Sequence, residues 1–115
     1  MRVTTDFWVS SIVRRAFSAG GFAAVARRGA SEAGAVMITQ RDRMGQTRLY
    51  GPAPQTSYED AKPDQRLFVE LLNSDDEQSI HDKIERELRF DPDIWVVELE
   101  VDDGLFGELV NVTTP

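Results

Sequence analysis

The sequence predicts an α+β domain, with two helices packed on one face of a mostly antiparallel sheet of five to six strands. Three observations predict it. Residues 89–101 (RFDPDIWVVELEV) open on Asp-Pro-Asp, whose proline forbids a continuing helix, and then run into the densest β-forming segment of the chain. Just before it, Ile80, Ile84 and Leu88 recur at four-residue spacing behind a Ser74–Glu77 capping box, the pattern of an amphipathic helix. The remaining β-forming runs outnumber the helical ones and are joined mainly by hairpin turns.

Taken in order, Thr5 or Asp6 is a plausible N-cap, and Trp8, Ile12 and Ala16 repeat at helical spacing. They predict a first helix over 6–18, ended by Gly20-Gly21. Residues 22–28 (FAAVARR) carry alanines that suit a helix, but their length and the following Gly29 favour a strand. Residues 35–41 and 46–51 flank a polar turn at 42–45 and read as a hairpin. With 22–28 they form a three-stranded meander.

Residues 51–64 hold three of the five prolines, at 52, 54 and 63, and read as an ordered surface loop, with room for a helical turn at 57–61. Residues 67–72 (LFVELL) read as a strand. The helix capped at Ser74 spans about 75–89, with Asp75 and Asp76 favourably placed at the positive end of its dipole. In the strand that follows, Trp95, Val97, Leu99 and Val101 face one way and Glu98 and Glu100 the other. Asp103-Gly104 suggests a tight turn into an edge strand over 105–110. The whole of 1–115 is read as a single domain: helix and meander 6–51, loop 52–66, and strand, helix, strand and edge strand 67–112.

A chain of 115 residues buries roughly two-thirds of its unfolded surface as one core. No run of about 18 apolar residues is present, so no membrane span or membrane partner is expected. The N-terminus lacks the pattern of a secretion signal. Zero cysteines exclude disulfides, thiolate catalysis and zinc–thiolate sites, and fit a cytoplasmic location.

The net charge of −7 is divided. Residues 1–57 carry eight arginines against three acids, or +5; residues 58–115 carry five basic against seventeen acidic residues, or −12. Arg14, Arg15, Arg27, Arg28 and Arg48, with Tyr50 as a stacking ring, are the candidate anion or partner surface. The simpler reading is that the two halves neutralise each other within one fold.

Other constellations are incomplete. His81 has Glu77 and Glu85 one turn away on either side, but lacks the second His of a helical zinc motif. Asp91, Asp93, Glu98 and Glu100 faintly resemble a metal-dependent nuclease arrangement, yet Glu100 occupies the position where a Lys is needed. Gly20-Gly21 has no following GKS or GKT, and Ser10, Ser11 and Ser57 have no nearby His. No catalytic residue, metal ligand or cofactor is assigned. Trp8 and Trp95 read as core anchors. The segment LYGPAP (49–54) suits a groove or partner surface as well as a rigid turn.

WVSSIVRR (8–15), FAAVARRG (22–29), AGAV (33–36), LYGPAP (49–54) and RFDPDIWVVELE (89–100) resemble the small bacterial family catalogued as domain of unknown function 1491. The resemblance covers nearly the whole chain, and LYGPAP and RFDPDIW are its most specific parts. It implies a cytoplasmic, single-domain protein and transfers no activity, cofactor, partner or functional residue. Ala30 departs from the Gly-Asp that the resemblance leads one to expect after Arg-Arg.

The function these readings favour is a small, cytoplasmic, non-enzymatic binding module that docks a protein partner or itself. The alternative is a phosphate- or nucleic-acid-binding protein using the Arg-rich N-terminal half. A third reading is a metal-dependent hydrolase at Asp91, Asp93, Glu98 and Glu100.

Overall fold

The computed structural model describes residues 3–54 and 66–114. Helix α1 (Thr5–Ser18) is followed by β1 (Phe22–Arg27), β2 (Val36–Arg41), β3 (Thr47–Pro52) and β4 (Leu67–Ser74). Then come α2 (Glu77–Phe90), β5 (Trp95–Glu100), α3 (Asp103–Leu109) and the two-residue β6 (Asn111–Val112). The class is α+β, as the sequence predicts.

The sheet runs β1-β5-β2-β3-β4-β6. Its β1/β5, β2/β3 and β3/β4 pairs are antiparallel, while β2/β5 and β4/β6 are parallel, so it is mixed. The hairpin at 42–45 forms as expected, with Gly45 at φ +84°. The meander does not, because β5 inserts between β1 and β2. The reason lies in the side chains. Ile94 to Val97 are buried without alternation, a pattern that needs cover on both faces and a strand on each side. β1, with its exposed pattern, takes the edge instead.

The same double burial corrects the helix arrangement. Trp95, Val97 and Leu99 face α1 and α3, joining Val9, Ile12, Ala16, Phe106 and Leu109 in one core. Ile94 and Val96 face α2, joining Ile80, Met37 and Leu49 in a second. The two expected helices therefore lie on opposite faces of the sheet, not on one.

The edge strand expected over 105–110 is helix α3. Asp102 caps it, its carboxylate accepting from the Leu105 N–H at 2.8 Å. Phe106, Leu109 and Val110, spaced i, i+3, i+4, turn one face to the core. The cap of α2 also moves: Asp76, not Ser74, accepts from the Gln78 N–H at 3.1 Å, and Ser74 Oγ accepts from the Asp76 N–H. Thr4 caps α1, accepting from the Phe7 N–H. The helical turn considered at 57–61 lies outside the described residues.

Candidate docking groove beside helix α2

Helix α2 lies over β3 and β4, and among the described residues part of its side of the sheet is left uncovered. A groove of about 600 Å³ remains there, walled by α2 on one side and by β1 and β5 on the other. Its shape follows from local sequence. The pleat of β5 turns Val96, Glu98 and Glu100 towards this side, because Trp95, Val97 and Leu99 are committed to the other core. β1 presents Ala24 opposite Glu98, with Ala26 further along the groove wall, so small side chains keep it open. α2 contributes Ile84 and Leu88, the half-buried end of a stripe whose first member, Ile80, is fully buried.

The polar groups divide into paired and unpaired. Arg41, at the end of β2, bridges to Glu77 in the first turn of α2 at 2.7 Å. Arg27 donates through one guanidinium nitrogen to the carbonyls of Ile94 and Arg28, each at 3.1 Å. His81 Nε2 stands 4.0 Å from a Glu85 oxygen, a one-turn pair on the exposed side of the helix. The carboxylates of Glu98 and Glu100, both exposed, have no hydrogen-bond or ion-pair partner among the described residues. The lining thus carries Glu77, Glu85, Glu98 and Glu100 against Arg27 and Arg41.

The six residues expected to form an anion or partner surface are dispersed. Arg14 and Arg15 lie exposed on α1, where Arg15 donates to the Glu108 carbonyl of α3 at 3.0 Å. Arg28 pairs with Asp6 at 3.2 Å and lies over the Trp95 ring, 4.8 Å from its centroid. Arg27 is in the groove. Only Arg48 and Tyr50 come together, two residues apart on β3 and facing α3. There Arg48 bonds Asp103 at 3.0 Å and approaches Glu70 at 3.8 Å.

Burial opposes the charge of Arg48, but Asp103, Tyr50 and Glu70 outweigh it and raise its pKa. Burial, then the neighbouring Glu70, raises that of the Tyr50 phenol. Gln40 donates to the same Asp103 carboxylate at 2.9 Å and to the Val101 carbonyl at 3.2 Å. This cluster ties the start of α3 to the sheet, which is a structural task.

The four carboxylates of the hydrolase reading separate into two groups. Glu98 and Glu100 share the groove. Asp91 sits at the end of α2, its side chain accepting from the Asp93 N–H at 3.0 Å in a local turn. Among the described residues, no three His, Asp or Glu side chains gather closely enough to hold a metal ion. Trp95 is fully buried, as its reading as a core anchor requires, whereas Trp8 is only half-buried and stacks on Phe68 with ring centroids 5.6 Å apart. In LYGPAP, Leu49 and Tyr50 are core residues, and a Cβ at Gly51 would meet Leu71 at 2.7 Å.

The sequence marks Ile84 and Leu88 as members of the apolar stripe of α2 and does not single out the groove. The available signal was the length of the stripe: three apolar turns on α2 exceed what β3 and β4 cover.

Comparison with known proteins gives one consistent result. The model of a family described as a protein of unknown function, DUF1491, matches residues 3–106. A protein of A. tumefaciens with a solution structure is 43% identical, with 100% of this chain and 98% of that one covered and a TM-score of 0.84. A DUF1491 family protein from Caulobacter crescentus CB15, seen in a crystal structure, is 38% identical over 96% of this chain and 99% of its own, with a TM-score of 0.78. An NMR structure of a DUF1491 family protein from the same organism gives 37% identity, 98% coverage of both chains and a TM-score of 0.77. No curated protein matches.

Proposed function

The chain belongs to the DUF1491 family of proteins of unknown function, and on that premise we propose that it is a non-enzymatic protein-interaction module whose docking face is the groove between α2 and the β1–β5 half of the sheet. One observation carries this reading: the groove joins half-buried apolar side chains, Ile84 and Leu88, to carboxylates that no group of the described chain neutralises. Fully burying an Ile or Leu side chain is worth about 1.5–3 kcal/mol, so a half-buried one leaves on the order of 1 kcal/mol for a partner to realise. Several such contacts with a polar rim make an interface.

The charge of the groove favours a protein over a nucleic acid. Its unpaired acids repel phosphates, and most of the arginines named for an anion surface make contacts inside the fold. The reading places the protein in the cytoplasm, supported by a chain without cysteine and by an interaction that needs no membrane.

The test is site-specific photo-crosslinking in the host cell. A photoreactive residue at position 81, exposed on the groove lining, is expected to give discrete protein adducts, and one at position 108, exposed on the opposite side of the sheet, is not. Equal adducts at both positions, or adducts at 108 alone, would remove the groove as the docking face.

A further inference from the structure

The groove has an open side. Its outer wall, β1, is the first strand of the sheet and, among the described residues, pairs with β5 alone. A strand edge of this kind presents a row of main-chain donors and acceptors, which natural proteins blunt with Lys, Pro, bulges or covering elements. β1 contains neither Lys nor Pro. Its pairing with β5 is regular from Phe22 to Val25 and is broken by a register shift between Val25 and Arg27. Among the described residues, four residues of regular strand edge are therefore unpaired on their outer side.

Three exposed apolar side chains accompany them: Phe22 (47% exposed), Val25 (36%) and, from the end of α1, Phe17 (52%). Phe17 and Phe22 meet edge-to-face, with centroids 5.6 Å apart, at one end of this window.

From these features we infer that the partner adds to the sheet as an extended strand along Phe22–Val25, and that it carries Lys or Arg at alternate positions facing the groove. The inference rests on the docking function proposed above and specifies the chemistry of its partner. Charge complementarity selects the basic residues. Side chains alternate along a strand, so every second residue of the added segment lies on the groove side. The next strand in from β1 on that side offers Glu98 and Glu100, paired in register with Ala24 and Phe22. From an added strand to β5 is two inter-strand spacings, about 10 Å. Ala24 leaves that path open, and a long cationic side chain and Glu98 close it from either end. The partner's other face meets Val25. Arg27, held by the Ile94 and Arg28 carbonyls at the register shift, ends the run and disfavours a further cation there.

The probe is a twelve-residue peptide alternating Lys and Val, set against one alternating Glu and Val and one with the same Lys and Val in two blocks. Each is titrated into the ¹⁵N-labelled full chain. The expected result is saturable binding of the alternating Lys peptide alone, with hydrogen exchange slowed at alternate amides of 22–25. An E98K/E100K double variant, at exposed positions, should keep its melting temperature and lose at least tenfold in affinity. Three outcomes overturn the inference. Binding that shifts α2 and β5 but leaves β1 amide exchange unchanged would make the contact side-chain docking only. Concentration-dependent protection of β1 without peptide would make a second copy the occupant. Failure of every peptide to bind, with crosslinking at position 81 intact, would refute strand addition while leaving the docking function standing.

Discussion

The Trp95 indole N–H donates to the carbonyl of Ala30 at 2.8 Å. That bond joins the start of β5 to the loop between β1 and β2, and three further bonds surround it. Ala30 N–H donates to the Asp93 carbonyl at 3.0 Å, Gly34 N–H to the Ala30 carbonyl at 3.2 Å, and Trp95 N–H to the Ala35 carbonyl at 2.8 Å. The segments FAAVARRG, AGAV and RFDPDIW, separate in sequence, meet here.

Replacing Trp95 with Phe should therefore cost more than its volume. The change removes one partly buried hydrogen bond and leaves a gap where the larger ring stood. A loss of about 2–4 kcal/mol is expected. Urea unfolding with an unchanged m-value is the check, and a loss below about 1 kcal/mol would contradict the role given to the bond.

Two glycines predict opposite outcomes. A Cβ on Gly29 would lie 2.1 Å from the Asp93 carbonyl oxygen and 2.7 Å from Ile94 C, both backbone atoms that cannot swing away. Gly29→Ala should destabilise by about 2 kcal/mol or more, as overpacking against a fixed wall does. Gly107, inside α3, has nothing within 4 Å of such a Cβ. Gly107→Ala should be stabilising by about 0.5–1 kcal/mol through helix propensity. Thermal melts of the two variants beside the parent decide both.

The capping geometry of α2 separates two neighbours. Asp76 accepts from the Gln78 N–H and from the Ser79 hydroxyl, whereas Ser74 accepts only from the Asp76 N–H outside the helix. Asp76→Ala should cost about 1 kcal/mol and Ser74→Ala clearly less. The reverse order would restore the Ser74–Glu77 box.

Tyr50 predicts a dependence on alkaline pH. Burial, then Glu70, raises the phenol pKa above its value in the unfolded chain, so the folded state favours the neutral form. That contribution is intact below pH about 10, where Tyr is neutral in both states, and is lost as the unfolded phenol ionises above it. The parent protein should therefore lose stability relative to Tyr50→Phe as pH rises through 10. Denaturation midpoints of the two proteins at pH 8 and pH 10.5 test the sign; a constant difference would contradict it.

Much of the fold was legible because it is written in local rules. The period of Ile80, Ile84 and Leu88 specifies α2, Asp91-Pro92 ends it, and the continuous apolar run from Ile94 specifies a strand buried on both faces. The identity of the family was legible as well, because its segments are short and specific. The error at α3 was also local. Asp103-Gly104 reads as a hairpin turn, although Phe106, Leu109 and Val110 carry helical spacing behind an Asp102 cap.

By itself, then, the sequence determined the class, most elements and the burial of Trp95, since each depends on neighbours within a few residues. Only the tertiary structure decided that β5 separates β1 from β2, that α1 and α2 take opposite faces, and that Glu98 and Glu100 border a groove rather than a plain wet face. Strand order and helix side are settled by which distant segments bury β5 from both sides, and that contest involves residues some sixty to seventy positions apart, such as Ala30 and Trp95. The groove is what remains after that contest: one helix is too narrow to cover its side of a six-stranded sheet.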